Sequence, residues 1–228
     1  MKPTSKHQWD LSEARAKELQ ENLSPKIIKI DQLPTVKFIA GTDVSYKKDT
    51  DKIIAAIVIL NAENLELVES VTVEDTVSFP YIPGLFSFRE IPPLIKAFEK
   101  LKTSPDLVVC DGQGYAHPRR FGLACHLGLL MDIPSIGCAK NMMIGKYKEP
   151  DITRGSFCKI IDNEETIGRV LRTQNNVKPV YVSIGHKISL ETATEWILKL
   201  SPKYRLPETT RLSDQLSKGV ENQRLNAT

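Results

Sequence analysis

Leu107-Val108-Val109-Cys110-Asp111-Gly112-Gln113-Gly114-Tyr115-Ala116-His117-Pro118-Arg119-Arg120 decides how the rest of the chain is read. Its first four residues are apolar and carry two β-branched valines, which predicts a short buried strand. Asp111 stands where the run ends, and Gly112 and Gly114 free the backbone to turn sharply or to approach a ligand. A histidine, a proline and two arginines follow. A carboxylate at the end of a buried strand, opening a polar loop, is where α/β folds place functional groups. Asp and Gly are also ordinary turn formers, so the stretch points to chemistry only if it has partners elsewhere.

Working outward, residues 120–131 predict a helix, in which Gly122, Ala124 and Gly128 allow close packing. Ser135 to Lys140 predicts another short strand with Lys140 at its end. Strand, helix, strand implies parallel strands joined by a crossover. On the other side, residues 36–45 read as a strand carrying Asp43, residues 53–60 as a second and Leu65–Val73 as a third, with a turn at Asn61-Ala62-Glu63-Asn64. These three fit an antiparallel meander. Between meander and central strand, Val77 to Glu90 is rich in aromatic residues and broken by prolines, so it begins as a loop. A helix then runs to about Leu101, and Pro92 and Pro93, tolerated in a first turn or at a kink, leave its start open.

At the ends, residues 9–24 predict a helix capped by Asp10 or Ser12 and stopped by Pro25. Beyond a lysine-bearing loop at 141–153, strands are expected at about 156–161, 167–173 and 178–184. A helix from Ser189 to Leu200 and a last one from near Glu208 follow, and residues 221–228 read as a disordered tail.

A chain of 228 residues has room for one sizeable core. With a net charge of only +3, any affinity for a polyanion must come from local clusters. Cys110, Cys125, Cys138 and Cys158 show no C-x-x-C spacing, which speaks against a zinc ribbon, and most sit in or beside apolar stretches as free thiols do. No apolar run reaches transmembrane length and the first residues lack an apolar export core, so a cytoplasmic protein with no membrane partner is expected.

Asp43, Glu90 and Asp111 share a context, and Asp214 lies on the last helix near Arg205 and Arg211. If the first and fourth strands are neighbours, Asp43 and Asp111 face each other. Carboxylates that close must share a cation, or one stays protonated. Hard oxygen donors without clustered Cys or His favour Mg²⁺ or Mn²⁺ over zinc, and a carboxylate-held Mg²⁺ suits phosphoryl transfer. Taken singly, each acid is more often a turn former or a solvated charge.

Several motifs occur together: Gly41-Thr42-Asp43-Val44-Ser45-Tyr46; Pro80-Tyr81-Ile82-Pro83-Gly84 with Phe88-Arg89-Glu90; Asp111-Gly112-Gln113-Gly114 with Ala116-His117-Pro118-Arg119; Gly137-Cys138-Ala139-Lys140; and Pro179 to His186. In this order they resemble the endonuclease V family, which nicks nucleic acid near deaminated bases, over about residues 36–215. The resemblance implies one domain over residues 1–228 with a ribonuclease H-like fold: a mixed central sheet with an antiparallel meander, helices on both faces and extra C-terminal strands. It implies Mg²⁺, with Mn²⁺ substituting, held by Asp43, Glu90, Asp111 and Asp214, and Lys140 acting at the scissile phosphate. Pro80-Tyr81-Ile82-Pro83 matches a strand-separating wedge, whose residue-based alternative is a proline-rich turn with Tyr81 capping the core. Gly84, Leu85, Gly112, Gln113, Gly114 and His117 match a base pocket, although His117 has the alternative of simply holding its loop. His126 and His186 read as structural.

The implied reaction is a nick at the second phosphodiester 3′ to deoxyinosine in DNA, by a monomer, leaving 3′-hydroxyl and 5′-phosphate ends. Inosine-containing RNA is the alternative substrate, and a non-catalytic lesion-binding module the alternative class. Lys47, Lys48, Arg119, Arg120, Lys140, Lys146, Lys148, Arg205 and Arg211 are candidate phosphate contacts or solvated charges.

Overall fold

A computed structural model describes residues 1–219, so the tail expected at 221–228 lies outside the described residues. One continuous eight-stranded sheet runs through it. Its strands are β1 (Phe38–Tyr46), β2 (Lys52–Asn61), β3 (Leu67–Thr76), β4 (Leu107–Cys110), β5 (Ser135–Ala139), β6 (Phe157–Asp162), β7 (Glu165–Leu171) and β8 (Val180–His186). Their spatial order is β3-β2-β1-β4-β5-β8-β7-β6. The first three form the expected antiparallel meander, and β1, β4 and β5 are parallel. The last three are antiparallel and extend the same sheet from β5.

The helices are α1 (Glu13–Leu23), α2 (Phe86–Lys100), α3 (Leu123–Met131), α4 (Leu190–Lys199) and α5 (Glu208–Ser217). Alternation along the strands sorts them between the two faces. Ala40, Val108 and Cys110 point into a core with Leu94 and Phe98 of α2 and Leu127 of α3. Ile39, Leu107 and Val109 point into the opposite core with Ala193 and Ile197 of α4. On that second face α5 lies against β1, where Gly41 removes the side chain that would stand in its way.

Of the two expected caps for α1, Ser12 is used: its side chain accepts from the Arg15 N–H. Helix α2 begins at Phe86 and carries Pro92 and Pro93 in its interior. These prolines have no N–H to donate, so the bonds that would reach back to the carbonyls of Phe88 and Arg89 are missing on either side of Glu90. All four cysteines are free, with only Cys158 short of full burial. Among the described residues no helix is long and apolar enough to cross a membrane.

Candidate active site

The parallel strands end together, and that shared end gathers the chemistry. Thr42 pairs with Cys110 across the β1–β4 ladder, so the next residues, Asp43 and Asp111, stand side by side. Helix α5 brings Asp214 to the same place. Carboxylate oxygens of Asp43, Asp111 and Asp214 all lie within 4.8 Å of one another. Lys140, just past β5, reaches between two of them, 2.6 Å from Asp111 and 3.2 Å from Asp214.

Glu90 is outside that cluster. It is 3 % exposed and takes a hydrogen bond of 3.2 Å from the Tyr46 hydroxyl. Burial, and then the charges of Asp43 and Asp111, push its carboxyl well above the usual range. Of the four expected ligands, three carboxylates converge, and the fourth, Glu90, lies buried close to Asp43.

The three clustered acids differ among themselves. Burial raises Asp43, opposed by a 2.5 Å hydrogen bond from the Ser217 hydroxyl. Burial also acts on Asp214, but hydrogen bonds from Lys218 and Lys140 outweigh it and hold this carboxyl low. Burial works against the charge on Lys140, yet its bonds to Asp111 and Asp214 keep the ammonium charged. A set of carboxylate oxygens this close could hold a small divalent cation with hard oxygen donors.

A cavity of about 440 Å³ opens beside the cluster, within the usual size of a small-molecule site. Asp111 and Lys140 line it, together with Tyr81, Ile82, Pro83, Gly84, Gly112, Gln113 and His117. Pro80, Leu85 and Gly114 are not part of the lining. Leu85 is wholly buried in a small core with Ala16, Phe79 and Phe88. Gly114 is pressed against β8, where an added Cβ would stand 2.0 Å from the Ile184 carbonyl oxygen. The glycine at 114 thus serves strand packing, and its amide donates to Ser183 Oγ at 2.9 Å.

Tyr81 is 70 % exposed, so it does not cap the core. Its ring meets Phe86 edge-on at 6.2 Å. The loop beneath it is tied down at one atom. The carbonyl oxygen of Gly84, a residue with φ of 80°, accepts from His117 Nε2 at 2.9 Å, Arg119 Nη2 at 2.8 Å and Gln20 Nε2 at 3.1 Å. His117 therefore does hold a loop while also lining the cavity. Because a carbonyl can only accept, Nε2 carries the hydrogen and Nδ1 accepts from the Arg119 N–H. Burial and the adjacent Arg119 push this imidazole down to about 4. The aromatic loop at 80–84 and the loop after Asp111 are thereby bolted together.

Several expected phosphate contacts are occupied with internal bonds. Lys47 pairs with Glu74 at 2.6 Å, Arg120 with Asp162 and Glu165 at 2.8 Å each, and Arg211 with Glu208 at 2.5 Å. Arg205 donates to the carbonyls of Lys140 and Lys178 at 2.8 Å each, which fixes the backbone that carries Lys140. Lys48, Lys146 and Lys148 make no ion pair among the described residues. His186 is buried and donates or accepts only within the scaffold, against the Ile28 N–H and Asp132.

Ser217, which touches the cluster, and Gln20, Phe86 and Ser87, which line the cavity, were not among the candidate residues. The aromatic run at 79–88 carried the only signal for Phe86 and Ser87; nothing local marks Ser217 or Gln20.

The family model for Endonuclease V matches residues 21–215. The Endonuclease V of Rippkaea orientalis (strain PCC 8801 / RF-1) is 50 % identical over 207 residues, spanning 91 % of this chain and 90 % of the relative. The crystal structure of the Endonuclease V from Streptomyces avermitilis matches with a TM-score of 0.89 at 45 % identity, over 92 % of this chain and 93 % of that one. The Endonuclease V of Ciona intestinalis, solved in complex with a 24mer DNA containing an inosine followed by a ribo-adenosine, matches with a TM-score of 0.82 at 30 % identity, over 90 % of this chain and 95 % of that one. The mixed sheet with helices on both faces is thus the ribonuclease H-like fold of these structures.

Proposed function

The chain belongs to the endonuclease V family, and from that premise we propose that it nicks DNA at the second phosphodiester bond 3′ to a deaminated base, chiefly hypoxanthine, in a Mg²⁺-dependent reaction that initiates repair. The observation that carries the proposal is the sharing of one cavity: Asp111 and Lys140 line the same space as Tyr81, Gly84, Gly112 and His117. A base taken from the stack into that space brings its own strand past the carboxylates.

Asp43, Asp111 and Asp214 would hold Mg²⁺, or Mn²⁺ in its place, with Glu90 beside Asp43. The donor set fits, being all oxygen and close enough to share one ion. When bound, the ion polarises the phosphate, favours hydroxide over water and stabilises the leaving oxygen. Ser217 orients Asp43 through its hydroxyl. Lys140 supplies a fixed positive charge where negative charge develops on the phosphate, on a backbone that Arg205 holds in place. Tyr81, standing free on a loop anchored at Gly84, is suited to enter a base stack, and unstacking is least costly at a mispaired or damaged base. Four free thiols fit a reducing, cytoplasmic setting.

A second reading, cleavage of inosine-containing RNA, is favoured by one observation: the Ciona intestinalis complex carries a ribonucleotide after its inosine. Incubating matched inosine-containing DNA and RNA oligonucleotides with Mg²⁺ separates the two. Cutting of DNA supports the proposal, cutting of RNA alone replaces it with the second reading, and cutting of neither removes the enzymatic assignment.

A further inference from the structure

A chain of hydrogen bonds leads from the cavity to the N-terminal segment. Ser87 lies in the first turn of α2, lines the cavity and is only 2 % exposed. Its hydroxyl is 2.9 Å from Nδ1 of His126, a wholly buried residue of α3. Nε2 of His126 is 2.7 Å from Nε2 of His7, and Nδ1 of His7 is 2.7 Å from the carbonyl oxygen of Gln8. Trp9 and Phe88 pack around the two imidazoles.

The far end of this chain fixes every hydrogen in it. A carbonyl oxygen only accepts, so Nδ1 of His7 carries the hydrogen. A neutral imidazole has one N–H and one acceptor nitrogen. Nε2 of His7 therefore accepts, Nε2 of His126 donates, Nδ1 of His126 accepts, and the Ser87 hydroxyl donates. Neutrality of both rings agrees with their surroundings: burial, and then His7, drive His126 well below its ordinary range, and burial lowers His7. The single hydrogen of Ser87 is thus committed inside the protein. For any further partner its oxygen has only lone pairs left.

Deamination makes one change common to purine and pyrimidine. The ring nitrogen beside the altered carbon, a bare acceptor in adenine and cytosine, carries a hydrogen in hypoxanthine and uracil. An acceptor that cannot turn into a donor distinguishes these states, because lone pair would face lone pair with the undamaged base. We propose that Ser87 reads the ring N–H of the deaminated base, and that His126 and His7 are positioning residues that lock its hydroxyl as an acceptor. His7 lies outside residues 21–215, the part of the chain that the family model matches. The inference rests on the reading that the cavity takes the displaced base.

The test compares two duplexes, identical except that one carries deoxyinosine and the other purine deoxyriboside, whose N1 has no hydrogen. Nicking of the inosine duplex by the native protein is established first; its absence sinks the base-cavity reading and the relay with it. Dissociation constants for both duplexes are then measured by fluorescence anisotropy in an Asp111→Ala background. Ser87→Ala is expected to weaken inosine binding by about tenfold, the size of one hydrogen bond, and purine binding by less than about twofold. His7→Phe, which leaves Ser87 and His126 in place, is expected to narrow the inosine preference by about threefold, since it frees His126 to adopt either tautomer. Equal losses on both duplexes, or none on inosine, overturn the relay while leaving the nuclease assignment intact. Should Ser87→Ala fail to fold, the imidazole ¹⁵N spectrum of the native protein decides. Hydrogen on Nδ1 of His7 and on Nε2 of His126 is expected; hydrogen on Nδ1 of His126 overturns the proposal.

Discussion

Gly41→Ala tests how the three clustered carboxylates are brought together. Gly41 lies two residues before Asp43 in β1, on the face against which α5 packs. A Cβ added there stands 2.3 Å from the carbonyl oxygen of Thr209 and 2.8 Å from its Cα. Thr209 is the second residue of α5 and is fully buried, and backbone cannot swing aside as a long side chain can. Non-bonded heavy atoms rest about 3.5 Å apart, so the start of α5 must withdraw by about 1 Å. Asp214 and Ser217 ride on that helix, so the withdrawal opens the three-carboxylate cluster and stretches the Ser217–Asp43 bond. Overpacking of this kind costs about 1–3 kcal/mol. For a chain of this length each kcal/mol lowers the melting temperature by about 2–4 °C, giving a fall of about 2–12 °C.

Thermal unfolding of native and variant protein, each in EDTA and in Mg²⁺, separates the two consequences. Mg²⁺ stabilises whatever binds it in the folded state only, and a tenfold loss of affinity removes about 1.4 kcal/mol of that stabilisation at high Mg²⁺. The variant should melt lower in EDTA and gain less from Mg²⁺ than the native protein. An unchanged melting temperature with undiminished Mg²⁺ stabilisation would refute the claim that contact between β1 and α5 sets the cluster.

Other substitutions address single groups. Glu90→Gln keeps an acceptor for Tyr46 but cannot titrate. Because the folded state holds a proton on Glu90 above its ordinary 4.5, that stability is present at low pH and lost as pH rises toward the folded value. In EDTA the variant should therefore be more stable than the native protein at neutral pH, with the gap closing near pH 4.5; parallel curves across that range would show that Glu90 is not held protonated. Tyr81→Ala removes an exposed ring, so stability should change by less than about 0.5 kcal/mol. Nicking of inosine in duplex DNA should fall by about tenfold or more while nicking of single-stranded inosine DNA changes little; equal falls on both would remove the wedge role. Asp111→Ala should cut the nicking rate by at least about a hundredfold and leave binding of inosine DNA measurable. Undiminished nicking in Mg²⁺ would place the metal elsewhere.

Local patterning made the framework legible. Apolar runs announced β1, β2 and β4, and the strand–helix–strand alternation around Asp111 announced the parallel centre that sets Asp43 beside it. Depth was harder to read. Glu90 stands on a helix whose prolines blur its start, and only the folded packing shows that it is buried behind the cluster. Leu85 and Gly114 carry motif positions and also pack within the fold, which one sequence cannot separate from ligand contact. The arginines at 119, 120 and 205 looked free because their acceptors lie far away in sequence or on carbonyl oxygens, which carry no side-chain signature. Ser217 and the His7–His126–Ser87 chain are long-range contacts of the same kind.

The central claim is that a base held in the cavity directs the carboxylate cluster to a defined bond in its own strand. End-labelled duplexes carrying one deoxyinosine, incubated with the protein and Mg²⁺ and resolved at single-nucleotide spacing, test this most directly. The account predicts one nick at the second phosphodiester 3′ to the inosine, with 3′-hydroxyl and 5′-phosphate ends, and none in EDTA. Nicks scattered without regard to the inosine, or a nick that persists in EDTA, would contradict it.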